Sequence, residues 1–171
     1  NTAASIELPL ELRKINSILS IEDLARSLGE LHLKGVNGLF SFGSEQDMKN
    51  AAKVIAAINQ GALGLPDKEY YLSNATDKLK LREKYKKHVA NMFIASGVSS
   101  AQALADSEKI WEIETFLAHG MLPIVEQRDP VKTYHLVKKE MLLELAPAFP
   151  WDHYFTALGV APFQQLDVKQ P

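Results

Sequence analysis

The sequence predicts a mainly α fold with several helices, two of them long and antiparallel. Apolar residues recur at helical spacing in two consecutive stretches, 79–93 and 104–117, and the predicted connection between the two helices is the short segment 97–100. A connection this short favours antiparallel neighbours. No internal repeat or linker composition divides the chain of 171 residues. Residues 1–171 are therefore predicted to form a single helical unit.

Composition excludes several classes of function. The net charge is −2, with acidic and basic residues interleaved, so a nucleic-acid partner is not expected. The chain has no cysteine, which excludes disulfides and thiolate metal sites. Its apolar stretches fall far below the ~20 residues of a transmembrane helix. The first residues lack the features of a signal peptide, so we expect any targeting segment to precede them.

The N-terminal third contains two predicted helices. Ser20 precedes Asp23 by three residues, which is typical of a helix N-cap, and apolar residues then follow at helical spacing over 21–34. A shorter helix is predicted over 9–17, with Pro9 in its first turn.

The pattern over residues 38–60 is compatible with two structures. Met48, Ile55 and Ile58 fit one face of a helix, whereas 39–42 and 54–58 are equally acceptable as two short strands. A glycine-rich break follows at 61–66, and a helical turn is predicted to begin at Pro66.

The strongest helical patterns lie in the second half of the chain. The first long helix precedes Gly97, and its stripe consists of Leu79, Leu81, Tyr85, Val89, Met92 and Phe93. The second begins after Ser99 or Ser100 and stops at Gly120, with a stripe of Leu104, Ile110, Trp111, Ile113 and Leu117. Two further helices are predicted near 137–145, before Pro147, and near 151–158, before Gly159.

No catalytic or metal-binding motif is present in the sequence. None of the five histidines is followed by glutamate, so the His-Glu-x-x-His zinc motif is absent, and neither a nucleophile elbow nor a phosphate-binding loop occurs. We therefore expect no catalytic residue, no metal ligand and no bound zinc in this chain. The acidic residues of 106–114 fit a solvated helix face, except Glu114, which lies beside the apolar stripe and is predicted to be buried with a partner.

The segment Leu-Gly-Leu-Pro-Asp-Lys-Glu-Tyr-Tyr-Leu at residues 63–72 resembles a signature of the neprilysin family. This family includes endothelin-converting enzymes and bacterial endopeptidases of the oligopeptidase O type. Further matches continue in order over residues 30–160, and we expect the signature residues to be structural. They include Gly64, Leu65, Pro66, Tyr70, Tyr71, Glu114, Arg128, Asp129, Tyr134 and Trp151.

The resemblance implies a non-catalytic helical segment of a zinc metalloendopeptidase. In that family an N-terminal helical region caps a catalytic domain, and together they enclose a cavity that admits small peptides. The implied partners are the catalytic domain of the same parent chain and peptide substrates. The zinc ligands of the family lie C-terminal to the matched region, so zinc is expected in the parent enzyme. The family also favours a β-hairpin over residues 38–60.

The alternative to this interpretation is a stand-alone helical protein-interaction module without enzymatic activity. Two departures from the family pattern are visible: His135 stands where an asparagine is usual, and cysteines are absent. The second points to a bacterial homologue, for which a periplasmic or secreted location is favoured and a cytoplasmic one stays open. Two further expectations concern contacts: Arg128 pairs with Glu114, and segments 63–72 and 160–166 contribute to an exposed apolar surface.

Overall fold

The computed structural model describes residues 2–61 and 63–170, with side chains from residue 8 onward. The chain forms two compact units: unit 1 consists of Asn1–Gly61 and Tyr134–Pro171, and unit 2 of Ala62–Thr133. The sequence predicts one unit, because neither of the two points where the chain passes from one unit to the other has the composition of a linker. Each unit has a hydrophobic cluster of its own.

The mainly α fold class with a small β element is confirmed. Short 3-10 turns lie at Glu126–Arg128 and Lys139–Met141. The other elements, in chain order, are α1 Thr2–Asn16, α2 Ile21–Leu33, β1 Phe40–Asp47, β2 Asn50–Gln60, α3 Glu69–Leu72, α4 Thr76–Ala95, α5 Ser100–Gly120, α6 Pro130–Thr133, β3 Leu136–Lys138, α7 Leu142–Leu145, α8 Trp151–Leu158 and β4 Gln165–Val168.

The predicted start of α2 is confirmed, and that of α1 is wrong. The Ser20 hydroxyl accepts a hydrogen bond from the Asp23 amide at 3.1 Å, which satisfies a donor that the first helical turn leaves free. Helix α1 begins before Pro9 and runs through it, so one backbone N–H is missing from its middle. Helix α2 packs against α8 at Gly29, where an added Cβ would lie 2.8 Å from the carbonyl oxygen of Tyr154.

Unit 1 contains a four-stranded sheet in the order β1-β2-β4-β3. The hairpin expected over residues 38–60 is confirmed as β1 and β2, which pair antiparallel from Phe40↔Gln60. Strand β2 pairs parallel with β4, and β3 pairs antiparallel with β4. The helix predicted near 137–145 is wrong over its first half, because Val137 pairs with Leu166 in the sheet and only 142–145 is α-helical.

The core of unit 1 lies between the sheet and the pair α2 and α8. Tyr154 and Leu166 are fully buried there. The Phe155 and Phe163 rings meet edge to face at 5.1 Å between centroids. The expectation that segment 160–166 adds to an exposed apolar surface is therefore wrong, because β4 and the loop before it complete this core.

A buried ion pair lies on the strand β4 and just after it. Asp167 is 1% exposed, and its carboxylate accepts from the Lys169 ammonium at 2.6 Å and from the His135 amide at 2.7 Å. Lys169 also pairs with Glu45 of β1 at 3.1 Å. Each buried charge therefore has an opposite charge or a donor beside it, which a buried carboxylate requires.

Unit 2 is built around the antiparallel helices α4 and α5, as predicted. The stripes predicted to be buried are only partly so: Ala90, Ala103 and Ala118 are buried, and Trp111 is half-buried. Four members of the predicted stripes are exposed, namely Leu79, Met92, Leu104 and Ile113. The pair of helices is therefore tightly packed on one side only.

His32 joins α2, α8 and the entry to β1 in unit 1. Its Nδ1 lies 2.7 Å from the Tyr154 hydroxyl and its Nε2 lies 3.3 Å from the Gly38 carbonyl oxygen. The ring is nearly buried and meets Phe40 edge to face at 5.2 Å. Burial lowers the pKa of His32 below its usual value, since a charged imidazolium there loses hydration.

Acid should therefore destabilise unit 1 through His32. A histidine with a lower pKa when folded takes up its proton more readily when unfolded, so stability is lost as pH falls below about 6.5. We expect the free energy of unfolding to drop less between pH 7 and pH 5 in His32→Gln than in the unchanged chain. The exposed His153 on α8 supplies the control His153→Gln. Equal pH dependence of urea unfolding in all three proteins would contradict this.

Candidate functional site

The Glu114 carboxylate is the centre of the hydrogen-bond network in unit 2. Glu114 lies on α5 four residues before the buried Ala118, on the side that faces α4. One oxygen, Oε1, accepts from the Gly64 amide at 2.9 Å. The other, Oε2, accepts from the hydroxyls of Tyr71 at 3.0 Å and Tyr85 at 2.8 Å. One side chain therefore joins the 64–65 turn, α3, α4 and α5.

Tyr71 extends this network to the next residue of the turn. Its hydroxyl oxygen accepts from the Leu65 amide at 2.8 Å while donating to Glu114. Its ring is buried and stacks on Trp111 with centroids 5.0 Å apart. Burial raises the pKa of Tyr71 and of Tyr85, and the neighbouring Glu114 raises both further. Both phenols thus stay protonated at any physiological pH and act as donors to the carboxylate.

Gly64 is required by the close approach of Tyr85. A Cβ built on Gly64 would lie 1.8 Å from the Tyr85 hydroxyl oxygen and 2.5 Å from the ring carbon that carries it. Any other residue would push Tyr85 away from Glu114. The glycine of the Gly-Leu-Pro signature thus allows the turn to approach α4 closely.

Basic side chains hold the segment that follows the turn. Arg82 of α4 donates to the carbonyl oxygens of Tyr70, at 2.7 Å, and of Ser73. The Lys78 ammonium lies 3.5 Å from the centroid of the Tyr70 ring, a cation–π contact. Leu65 and Tyr71 are buried, and Pro66 is exposed. The expectation that segment 63–72 forms an exposed apolar surface is therefore wrong.

The arrangement around Glu114 is suited to holding structure. An ionised carboxylate offers about four acceptor positions, and three of them already bind donors of the protein itself. Within the described side chains, no group of three or more His, Asp or Glu residues could hold a metal ion. The described residues thus offer no set of ligands that fits a zinc ion. Whether the signature residues are purely structural stays a prediction, which this geometry supports.

Arg128 and Asp129 lie apart from Glu114 in unit 2. Arg128 is exposed at the end of its 3-10 turn, so the expected pair between Arg128 and Glu114 is wrong. Glu114 needs no cation because neutral hydroxyl and amide donors satisfy it. Asp129 caps α6 instead, with its carboxylate accepting from the Val131 amide at 2.9 Å.

Tyr134 and Trp151 belong to unit 1. The Tyr134 hydroxyl donates to the Asp47 carboxylate at 2.8 Å, at the far end of β1. The Lys49 amide donates to the same carboxylate, and the amide and the hydroxyl together lower the pKa of Asp47. Trp151 begins α8, and its indole N–H donates to the Leu142 carbonyl oxygen at 3.1 Å. The signature residues therefore occupy three separate places: the Glu114 network, the α6 cap and unit 1.

Comparison with known proteins identifies the family. The profile described as peptidase family M13 matches residues 4–171. The chain belongs to peptidase family M13. Neprilysin-3 of Drosophila melanogaster is 28% identical over 137 residues, which are 79% of this chain and 17% of that protein. Endothelin-converting enzyme 1 of Cavia porcellus is 33% identical over 113 residues, which are 66% of this chain and 15% of that protein.

A solved structure supports the same assignment. The Mycobacterium tuberculosis zinc metalloprotease ZMP1, in complex with an inhibitor, superposes with a TM-score of 0.89 at 31% identity. The superposition covers 96% of this chain and 25% of that chain. This chain thus corresponds to the N-terminal region of M13 zinc metallopeptidases and spans a small part of their length. Within the described residues, no helix combines the length and apolarity needed to cross a membrane.

Sequence reasoning missed Tyr85 as a partner of Glu114. The sequence pattern places Tyr85 in the apolar stripe of the first long helix and among the residues that match the family, but it assigns the hydroxyl no role. A signal was available, since a tyrosine in a predicted core stripe needs a partner for its hydroxyl. Glu114 needed donors as well, so the two requirements could have been matched.

Replacing the Glu114 carboxylate should loosen unit 2. In Glu114→Gln one acceptor oxygen becomes an NH₂ donor that faces hydroxyl donors, so we expect a loss of about 2 kcal/mol in the free energy of unfolding. Glu112→Gln is the matched control, because Glu112 is exposed and its pair with Lys109 is worth under ~1 kcal/mol. Urea unfolding measures both. Equal effects of the two substitutions would show that the network contributes nothing special.

Adding one methyl group at Gly64 should have a similar effect. Gly64→Ala displaces the Tyr85 hydroxyl from Glu114, so we expect a loss of about 1–3 kcal/mol in stability. The control Gly120→Ala adds the same group where nothing lies within 4 Å of the new Cβ. Thermal unfolding should separate the two variants clearly. If the two variants unfold at the same temperature, Tyr85 does not approach Gly64 closely.

Proposed function

We propose that this chain is a non-catalytic part of a zinc metalloendopeptidase and helps to enclose the cavity in which the parent enzyme hydrolyses small peptides. Membership of peptidase family M13 supports the parent activity. The proposed partner is the catalytic domain of the same parent chain, and the proposed substrates are peptides that reach the cavity. On this proposal the catalytic zinc is held by residues outside this chain.

The proposal that this chain helps to enclose the cavity rests on exposed apolar residues of unit 2. Phe116 of α5 is 78% exposed, and Ile113, which lies one turn earlier, is 47% exposed. Ile124 and Val125 in the segment after α5 are exposed as well. Monomers seldom leave large apolar side chains grouped on a surface without a partner. A catalytic domain packed on the side of α5 that carries Ile113 and Phe116 would remove these two side chains from water.

The internal network of unit 2 supports the same proposal. A region that limits substrate size must keep its shape when peptides collide with it. Glu114 joins α3 and α4 to α5 through half-buried contacts with two tyrosine hydroxyls, and it joins the turn at Gly64 through an exposed contact. Such fully satisfied networks make a structure rigid.

The test uses the full-length parent protein. We expect it to cleave an unstructured peptide, to lose this activity when zinc is removed, and to spare the same sequence placed in a loop of a folded protein. Failure of zinc-dependent cleavage would overturn the enzymatic part. Equal cleavage of the free and the folded sequence would overturn the enclosing part. If the alternative is correct and the chain belongs to a stand-alone interaction module, the full-length protein will not cleave the unstructured peptide.

The isolated chain should not bind zinc tightly. Its five histidines are separated in sequence, and a protein site needs three or four ligands in fixed geometry. We expect titration of the purified chain to show no stoichiometric binding, and no peptide cleavage in the presence of zinc. A saturable one-to-one site, detected by calorimetry and abolished by a single His→Ala change, would refute this expectation.

A further inference from the structure

Unit 1 contains an apolar groove that none of the described residues fills. Its volume is about 280 Å³. One side is formed by Phe40 of β1 and the other by residues on and around α7 and α8. The lining includes Phe40, Leu142, Leu145, Phe149, Trp151 and Val168. This groove lies directly above the core of unit 1, because several of its lining residues belong to that core.

Water is a poor occupant for this groove. An ordered water needs two to four polar partners, and this lining offers few of them. The lining consists almost wholly of hydrocarbon and aromatic surface. Leu145, on its rim, is 42% exposed. Apolar side chains of leucine or phenylalanine size would satisfy the groove better than solvent does.

The course of the chain indicates which segment lies nearest. Val168 is the last residue of β4, and both Val168 and Gln170 line the groove. The chain thus leaves the sheet along the wall of the groove. The M13 relatives are far longer than the matched region, which makes up 17% of neprilysin-3 and 25% of ZMP1.

We propose that the groove receives apolar side chains from the segment that follows Pro171 in the full-length protein, an inference that rests on the proposed function. A segment joined to the groove wall is present at an effective concentration in the millimolar range, without any loss of translational freedom. A second copy of the chain lacks this advantage. Docking would seal the core of unit 1 around Trp151 and fix the path of the chain into the remainder of the enzyme.

Cysteine labelling of the full-length protein tests whether the groove is covered. This chain has no cysteine, so each introduced thiol within it reports one position. Leu145→Cys lies on the groove and Leu143→Cys on the same short helix outside it, and in this structure the two leucines are 42% and 60% exposed. In the full-length protein we expect Leu145→Cys to react with a maleimide about 100-fold more slowly than Leu143→Cys, because the thiol becomes accessible only on local opening. Similar rates at the two positions would overturn the proposal.

Disulfide formation identifies the occupant. Leu145→Cys is combined with single cysteines placed along the segment after Pro171, within about ten residues, a span of roughly 33 Å. We expect at least one position to form an intramolecular disulfide on mild oxidation, independent of protein concentration. Disulfides that link two molecules would instead identify a second copy. Protection of Leu145→Cys without any disulfide to this segment would assign the groove to another part of the parent. Either result overturns the proposal.

These measurements do not depend on activity. A parent that shows zinc-dependent peptidase activity but reacts rapidly at Leu145→Cys contradicts only the groove proposal. A parent without peptidase activity contradicts the proposed function, and the labelling and disulfide results can still be read. The two failures are therefore distinguishable.

Discussion

The Glu114 carboxylate is the constraint on which unit 2 depends. It binds a backbone amide of the signature turn and two tyrosine hydroxyls from different helices. Removing any one of these donors leaves the others beside a charge with fewer partners, so their contributions are coupled. The network also explains the composition of the signature. Gly64 allows Tyr85 to reach Glu114, Tyr71 binds the next amide of the turn, and Leu65 fills the apolar cluster beneath it.

The two units satisfy their buried polar groups with different kinds of partner. In unit 2, neutral donors surround one carboxylate at the junction of three helices. In unit 1, the sheet brings Asp167, Lys169 and Glu45 together as an ionic group, and His32 joins α2 and α8 to the start of β1. A buried charge is tolerated only with such partners. Both units also have apolar surface that the described residues leave uncovered, at Phe116 in unit 2 and at the groove in unit 1.

The sequence predicted elements whose stability is local. The caps at Ser20 and Ser99, the long helices and the last helix follow from hydroxyls and periodicity within each segment. Strand β3 could not be predicted this way, because its three residues are extended only through pairing with β4, almost thirty residues later. The hairpin was ambiguous for the same reason and was chosen through the family resemblance. The apolar stripes are buried less than their periodicity predicts, because none of the described residues covers Leu104 or Met92.

Family membership and the position of Glu114 could be read from the sequence, but its partners could not. The choice among Arg128, Tyr71 and Tyr85 depends on how the helices cross, which no local pattern reports. The central claim is that Glu114 and Tyr71 hold the signature turn through the amides of Gly64 and Leu65. Native-state hydrogen exchange at these two amides tests it most directly. We expect both amides to be protected as strongly as the middle of α5, although Gly64 is exposed to solvent. Exchange of these two amides at the intrinsic rate of an unfolded chain would contradict it.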